Sequence, residues 1–274
     1  WVSREAPCWS PTSSHEGAQR RNGLGMIEGW LTLPPEIGPV LFATLAAVSF
    51  VASLITAAFG IGGGGLLLAV MAVLVPPAAL IPVHGVVQLG SNAGRMALFL
   101  REVSWAALPA FAMGSLAGAA LGGAVVVELP ASAVQIGVGC FVIWSVFARP
   151  PRWLRDMPVV TGAVSSFLTM FFGATGLFVA SYTKSLELPR HAHVATHAAL
   201  MTVQHGLKVI VFGLLGFAFG AWWLVIAGMI LAGGLGTVIG RAVLGRLDDH
   251  GFRRALDVLL VLISLRLIWS GLSL

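Results

Sequence analysis

Hydrophobic positions in this chain come in long unbroken blocks, with polar residues pushed to their ends. Between Glu36 and Arg95 there is no Asp, Glu, Lys or Arg, and charge-free runs recur at 103–127, 129–148, 157–183, 191–207 and 209–240. One helix needs about 20 apolar residues to cross a bilayer. The pattern therefore predicts an all-α integral membrane protein, multi-pass, of about 8–10 helical segments. In order, the expected segments are Pro39–Phe59, a short piece Leu66–Val75, Ile81–Leu100, Trp105–Val127 and Ala131–Phe147. A second set follows, at Pro158–Phe172, a short piece ending at Leu188, His191–Leu215, Phe219–Leu244 and Phe252–Ser270.

The two sets are copies of one pattern. Sliding the first by 113 positions lays Phe59 on Phe172, Gly60 on Gly173, Gly63 on Gly176, Pro76 on Pro189, His84 on His197, Asn92 on His205 and Arg95 on Lys208, without a gap. Further on, Gly118 and Gly122 find their counterparts in Gly236 and Gly240, at an offset of 118. Gly114, Gly118 and Gly122 form a small-residue stripe, which lets helices approach closely. The Gly60–Gly65 and Gly173–Gly176 breaks interrupt apolar helices. Each is followed by a piece of about ten residues, too short to cross, so a re-entrant or tilted hairpin is expected in each half. Non-helical backbone at membrane depth survives where protein or a water-filled cavity satisfies it, which favours a binding site at the breaks.

Charge placement sets the expected organisation. With 57% hydrophobic and only 10% charged residues and a mean hydropathy of +0.92, a water-soluble surface could not be built. The net charge of +5 does not suggest nucleic acid, because the basic residues gather between apolar runs, at Arg149, Arg152 and Arg155 and at Arg241, Arg246, Arg253 and Arg254. Both clusters are expected on the cytoplasmic side, and the two halves must then face opposite ways, as inverted-topology repeats. The expected divisions are a leader and interfacial segment at 1–36, a first repeat at 37–148, a basic cytoplasmic linker at 149–156 and a second repeat at 157–274. The first 25 residues are polar and hold no apolar signal core, and read either as an extension before a natural start at Met26 or as a disordered leader. Cys8 and Cys140 suggest neither a disulfide framework nor a Cys-based metal site.

Candidate chemistry lies on the helices after the two prolines. His84, Gln88, Asn92 and Arg95 recur at spacings that place them on one face of a helix, and His197, Gln204, His205 and Lys208 do so in the second half. Ionisable groups at membrane depth are expensive and usually face a bundle interior or an aqueous path. The alternative is that Arg95 and Lys208 snorkel to the headgroups. Read as a site, two cations, amides, imidazoles and the helix starts at Gly62, Gly63, Gly64, Thr175 and Gly176 suit a small oxyanion. Histidine ordinarily changes charge near neutral pH, so proton coupling is a further expectation.

The Gly60-Ile61-Gly62-Gly63-Gly64 segment with its apolar stretch and Pro76-Pro77, Trp105 after a short polar loop, the Gly114–Gly122 stripe and the repetition of the whole resemble the TauE/SafE (TSUP) family of membrane permeases, over about residues 37–272. That resemblance implies two inverted repeats and transport of sulfite, organosulfonates or related small sulfur anions across a prokaryotic inner membrane. Asn92, Arg95 and the Gly-Ala-Thr-Gly form of the second break depart from the commoner pattern and mark a subgroup.

The expected function is a secondary transporter of such an anion by alternating access, with the small anionic substrate and the lipid bilayer as partners and no cofactor. A metal-cation permease using His191, His193 and His197 is the alternative. An intramembrane enzyme is disfavoured, because no Ser/His/Asp set, His-Glu zinc motif or carboxylate pair stands in the spans.

Overall fold

A computed structural model describes residues 32–59, 62–126, 130–147, 156–243 and 249–273. Ten α-helices occur among them: α1 Pro39–Phe59, α2 Gly63–Leu74, α3 Pro77–Leu98, α4 Leu108–Val125, α5 Ala131–Phe147, α6 Pro158–Phe172, α7 Gly176–Ser185, α8 Arg190–Leu214, α9 Trp223–Val243 and α10 Asp249–Leu272. The leader with Met26, residues Gly60 and Ile61 of the first break, the linker arginines 149–155 and Arg246 lie outside the described residues.

Helix boundaries follow the local chemistry. α3 begins at Pro77, four residues before the apolar pattern alone suggests, because Pro77 supplies a preset φ at a position whose N–H would have no helical partner. α8 likewise starts directly after Pro189. α7 stops at Ser185 rather than near Leu188, and two residues on Glu187 takes a left-handed φ of 51°. At 12 and 10 residues, α2 and α7 are about 18 and 15 Å long. Neither spans a hydrocarbon core of about 30 Å by itself. Among the described residues, three helical stretches, Pro39–Ala58, Trp105–Val125 and Phe219–Ala242, are long and apolar enough to do so.

The halves are interleaved. α1 packs on α9 and α6 on α4, so the first helix of each half seats against the fourth helix of the other. α3 pairs with α8, and α5 with α10. Glycines make these seams possible. A Cβ on Gly118 would run into Ala163 O, and one on Gly236 into Phe50 O. The glycines differ by the 118 positions and their partners by the 113 positions of the sequence repeat, so equivalent residues make equivalent contacts. Gly122 beside Phe167 O and Gly240 beside Leu54 O obey the same rule. On the other seam, Gly139 meets Ser264 O and Ile268 while Gly271 meets Ser132 O and Ile136, a reciprocal antiparallel contact.

Polar and apolar residues are distributed as a bilayer demands. Met113, Leu116 and Leu121 on α4, Leu231 and Leu235 on α9 and Trp269 on α10 are exposed. His84, Asn92, Arg95, Gln204, His205 and Lys208 are buried. In water such an apolar exterior would drive aggregation; against lipid tails it costs nothing. The protein is an integral membrane protein.

Candidate functional site

Both helix breaks open on one cavity. Gly62 takes a φ of 109° and Gly173 a φ of 75°, values that side chains other than glycine rarely adopt, and each turns the chain into a new helix. A Cβ on Gly63 would overlap Ala52 O, so the start of α2 lies directly against α1. Neither new helix has a side-chain cap: Gly62 has no side chain, and the Thr175 hydroxyl donates to Ser165 O at 3.0 Å instead. The first N–H groups of α2 and α7 are thus left to whatever occupies the space before them.

That space is a cavity of about 280 Å³. Gly62, Gly64 and Gly65 from the start of α2 and Gly176 and Leu177 from the start of α7 form part of its wall. α3 contributes His84, Gln88 and Asn92, and α8 contributes His197, Met201 and His205. These are equivalent positions of the two halves, His84 with His197, Gln88 with Met201 and Asn92 with His205. The rings of His84 and His205 meet edge to face, with centroids 6.2 Å apart at 80°.

Five residues expected at the site stand behind this wall: Gly63, Arg95, Thr175, Gln204 and Lys208. Arg95 is 2% exposed and Lys208 0%, so neither snorkels to the perimeter. Arg95 donates from Nη1 to Asn92 Oδ1 at 3.0 Å and from Nη2 to Ser91 Oγ at 3.3 Å. Lys208 reaches from α8 to the second break, donating to Gly173 O at 3.4 Å and Thr169 Oγ1 at 3.5 Å. Its Cε packs where a Cβ on Gly85 would come within 2.7 Å. Gln204 donates to Thr175 Oγ1 at 2.6 Å and so fixes the start of α7. The partners of both cations are neutral oxygens, which leaves their positive charge uncompensated close behind the cavity.

The family to which this geometry belongs follows from sequence comparison: the model of the sulfite exporter TauE/SafE family matches residues 45–267. The chain belongs to the TauE/SafE family. Members of that family are membrane permeases for sulfite and related sulfur anions, a family of transporters rather than enzymes. No curated protein and no solved structure matches this TauE/SafE chain significantly.

Several wall residues of this TauE/SafE protein are not evident from the sequence. Thr56 on α1, Ser145 on α5 and Leu256, Asp257 and Leu260 on α10 all face the cavity. Asp257, exposed on the cavity wall, adds a carboxylate to the cations, amides and imidazoles expected at the site. One signal does point to it, a single acidic residue inside the apolar run 252–270. The His191, His193 and His197 set is not assembled as a ligand cluster. His197 is in the cavity, whereas the His191 ring packs 5.8 Å from Phe99 at a separate surface cleft. Among the described residues, no group of three His, Cys, Asp or Glu side chains could hold a metal ion.

Proposed function

We propose that this protein moves sulfite, an organosulfonate or a related small sulfur oxyanion across a prokaryotic inner membrane, by alternating access of two inverted repeats spanning 37–148 and 157–274, joined by a cytoplasmic linker at 149–156. One observation carries the reading: two uncapped helix starts, α2 and α7, open on a single cavity walled by imidazole and amide groups. Helix N-termini attract anions through their unpaired N–H groups and the positive end of the dipole. The buried charges of Arg95 and Lys208 add to that potential, and in a low-dielectric interior they are weakly screened. A dehydrated oxyanion would find donors in Gln88, His197 and His205, with Asn92 and His84 beside them on the wall. Gly62, Gly63, Gly64, Thr175, Gly176 and Gln204 shape the helix starts around it. The cross-half pairing of α1 with α9 and of α6 with α4 supports a two-fold relation of the repeats.

Purified protein in proteoliposomes provides the test. Sulfite, sulfoacetate or taurine should raise the thermal unfolding midpoint and be transported down an imposed gradient, while Zn²⁺ and Ni²⁺ do neither. Stabilisation and transport by the metals, with no response to any of the anions, would replace this reading with the metal-permease one.

A further inference from the structure

One face of α3 carries a continuous chain of hydrogen bonds whose direction is set at one end. A guanidinium has no acceptor, so the 3.0 Å contact of Arg95 Nη1 makes Asn92 Oδ1 the acceptor. The amide nitrogen of Asn92 is thereby turned toward Gln88, where it donates to the backbone oxygen at 2.8 Å and to Oε1 at 3.3 Å. With its oxygen committed, Gln88 presents Nε2 at the other end. That nitrogen lies 3.3 Å from His84 Nε2, and it is the amide atom nearest Gly64, 2.9 Å from where a Cβ there would sit.

The last link decides a tautomer. An amide nitrogen only donates, so His84 Nε2 must accept and the ring proton must sit on Nδ1. Gly64 O, 3.2 Å from the same Nε2, demands the opposite, since a carbonyl only accepts. Nδ1 is enclosed without a hydrogen-bond partner, so nothing on that side of the ring favours a proton there. Left to Gly64 alone, His84 would carry its proton on Nε2, and Gln88 would turn its oxygen toward the start of α2.

We propose that Arg95 is a positioning residue: through Asn92 it holds the Gln88 amide with its nitrogen toward the cavity, so that the wall beside α2 offers a donor rather than a carbonyl oxygen. This rests on the anion reading above and deepens it, because a reversed amide would put a negative dipole end beside the solute. Arg95 itself does not line the cavity, and acts two side chains away. In the second half the same position is Lys208, whose partners are Thr169 and Gly173, and Met201 replaces Gln88, so the device belongs to the first half alone.

Two measurements on the full chain in lipid nanodiscs test it. In protein labelled with ¹⁵N-histidine, His84 is assigned by the signals lost in His84→Asn; wild type and Arg95→Lys should carry the proton on Nδ1, and Arg95→Met should move it to Nε2. In calorimetric titration with sulfite, the loss caused by Arg95→Met should be about tenfold larger in the wild-type background than when Gln88→Met is already present, where only the loss of its charge remains. A wild-type His84 protonated on Nε2, or losses from the two substitutions that simply multiply, overturns the proposal. If wild type binds no sulfite or sulfonate, the anion reading falls, and the His84 tautomer still decides the role of Arg95. Should Arg95→Met not fold, wild type and Arg95→Lys decide the matter between them, because Lys also only donates.

Discussion

The two hairpins place equivalent residues on the cavity wall but are held in different ways. In the second, side chains of α8 reach across to the break itself: Lys208 to Gly173 O, and Gln204 through Thr175 to Ser165 O. In the first, the polar residues of α3 bond mainly to one another, and among the described residues His84 and Gln88 reach the break at Gly64. The second hairpin is thus stapled to its neighbours and the first is organised from within. The lesson is that a sequence repeat can conserve which positions face a solute while dividing the labour behind them: one half fixes the frame, the other tunes the polarity of the wall.

The largest effect should come from the seams that both hairpins depend on. Gly118→Leu and Gly236→Leu each drive a side chain into a backbone oxygen, Ala163 O or Phe50 O, which no rotamer change can relieve. Both should abolish the monodisperse folded peak in size-exclusion chromatography. A large loss from one with none from the other would show that the seams are not equivalent.

Next in size is Lys208→Met, which asks whether the second staple serves stability or the solute. Its charge is buried against neutral oxygens only, an arrangement whose desolvation cost is substantial. Replacing it with an apolar chain of similar length should leave the unfolding midpoint unchanged or higher while weakening sulfite binding by about tenfold. A lower midpoint with intact binding would make Lys208 a mechanical clamp on the break.

The smallest effect separates the helix starts. A methyl on Gly176 would sit 3.7 Å from Met201 and 3.9 Å from His197, in ordinary contact, whereas one on Gly64 would displace the Gln88 amide from 2.9 Å. Gly176→Ala should therefore narrow the cavity without disturbing its donors. Sulfite affinity should stay within about threefold while taurine loses on the order of tenfold. Gly64→Ala should weaken both solutes alike, and competition binding with the two anions distinguishes the patterns.

Much of this architecture is legible in the chain itself, because glycine and proline punctuate it. The breaks at Gly60–Gly65 and Gly173–Gly176, the starts after Pro76 and Pro189 and the glycine stripes all follow from local backbone chemistry. Periodicity also places His84, Gln88, Asn92 and Arg95 on one face of a helix. It cannot give their depth. Residues three and four apart on a helix can line a common space, bond to each other or do both; His84, Gln88 and Asn92 do both, whereas Arg95 bonds without reaching the cavity. Lys208 stands behind the wall for a reason equally hidden in sequence, the approach of Gly85 on α3 to its side chain. Asp257 stands out in sequence as a lone acidic residue in an apolar run, but its place at the cavity depends on how α10 lies against α2 and α5, a matter of tertiary register.

The interleaving of the halves bears on how the chain is made. α6 meets α4 as soon as it emerges, since only α5 separates them. α1 has no such neighbour: its glycine-lined seat on α9, where Leu54 O lies beside Gly240, does not exist until nearly all of the protein has been synthesised. At translation rates of roughly 5–20 residues per second, that first helix waits on the order of 10–40 s in lipid, holding a surface whose mate is still inside the ribosome.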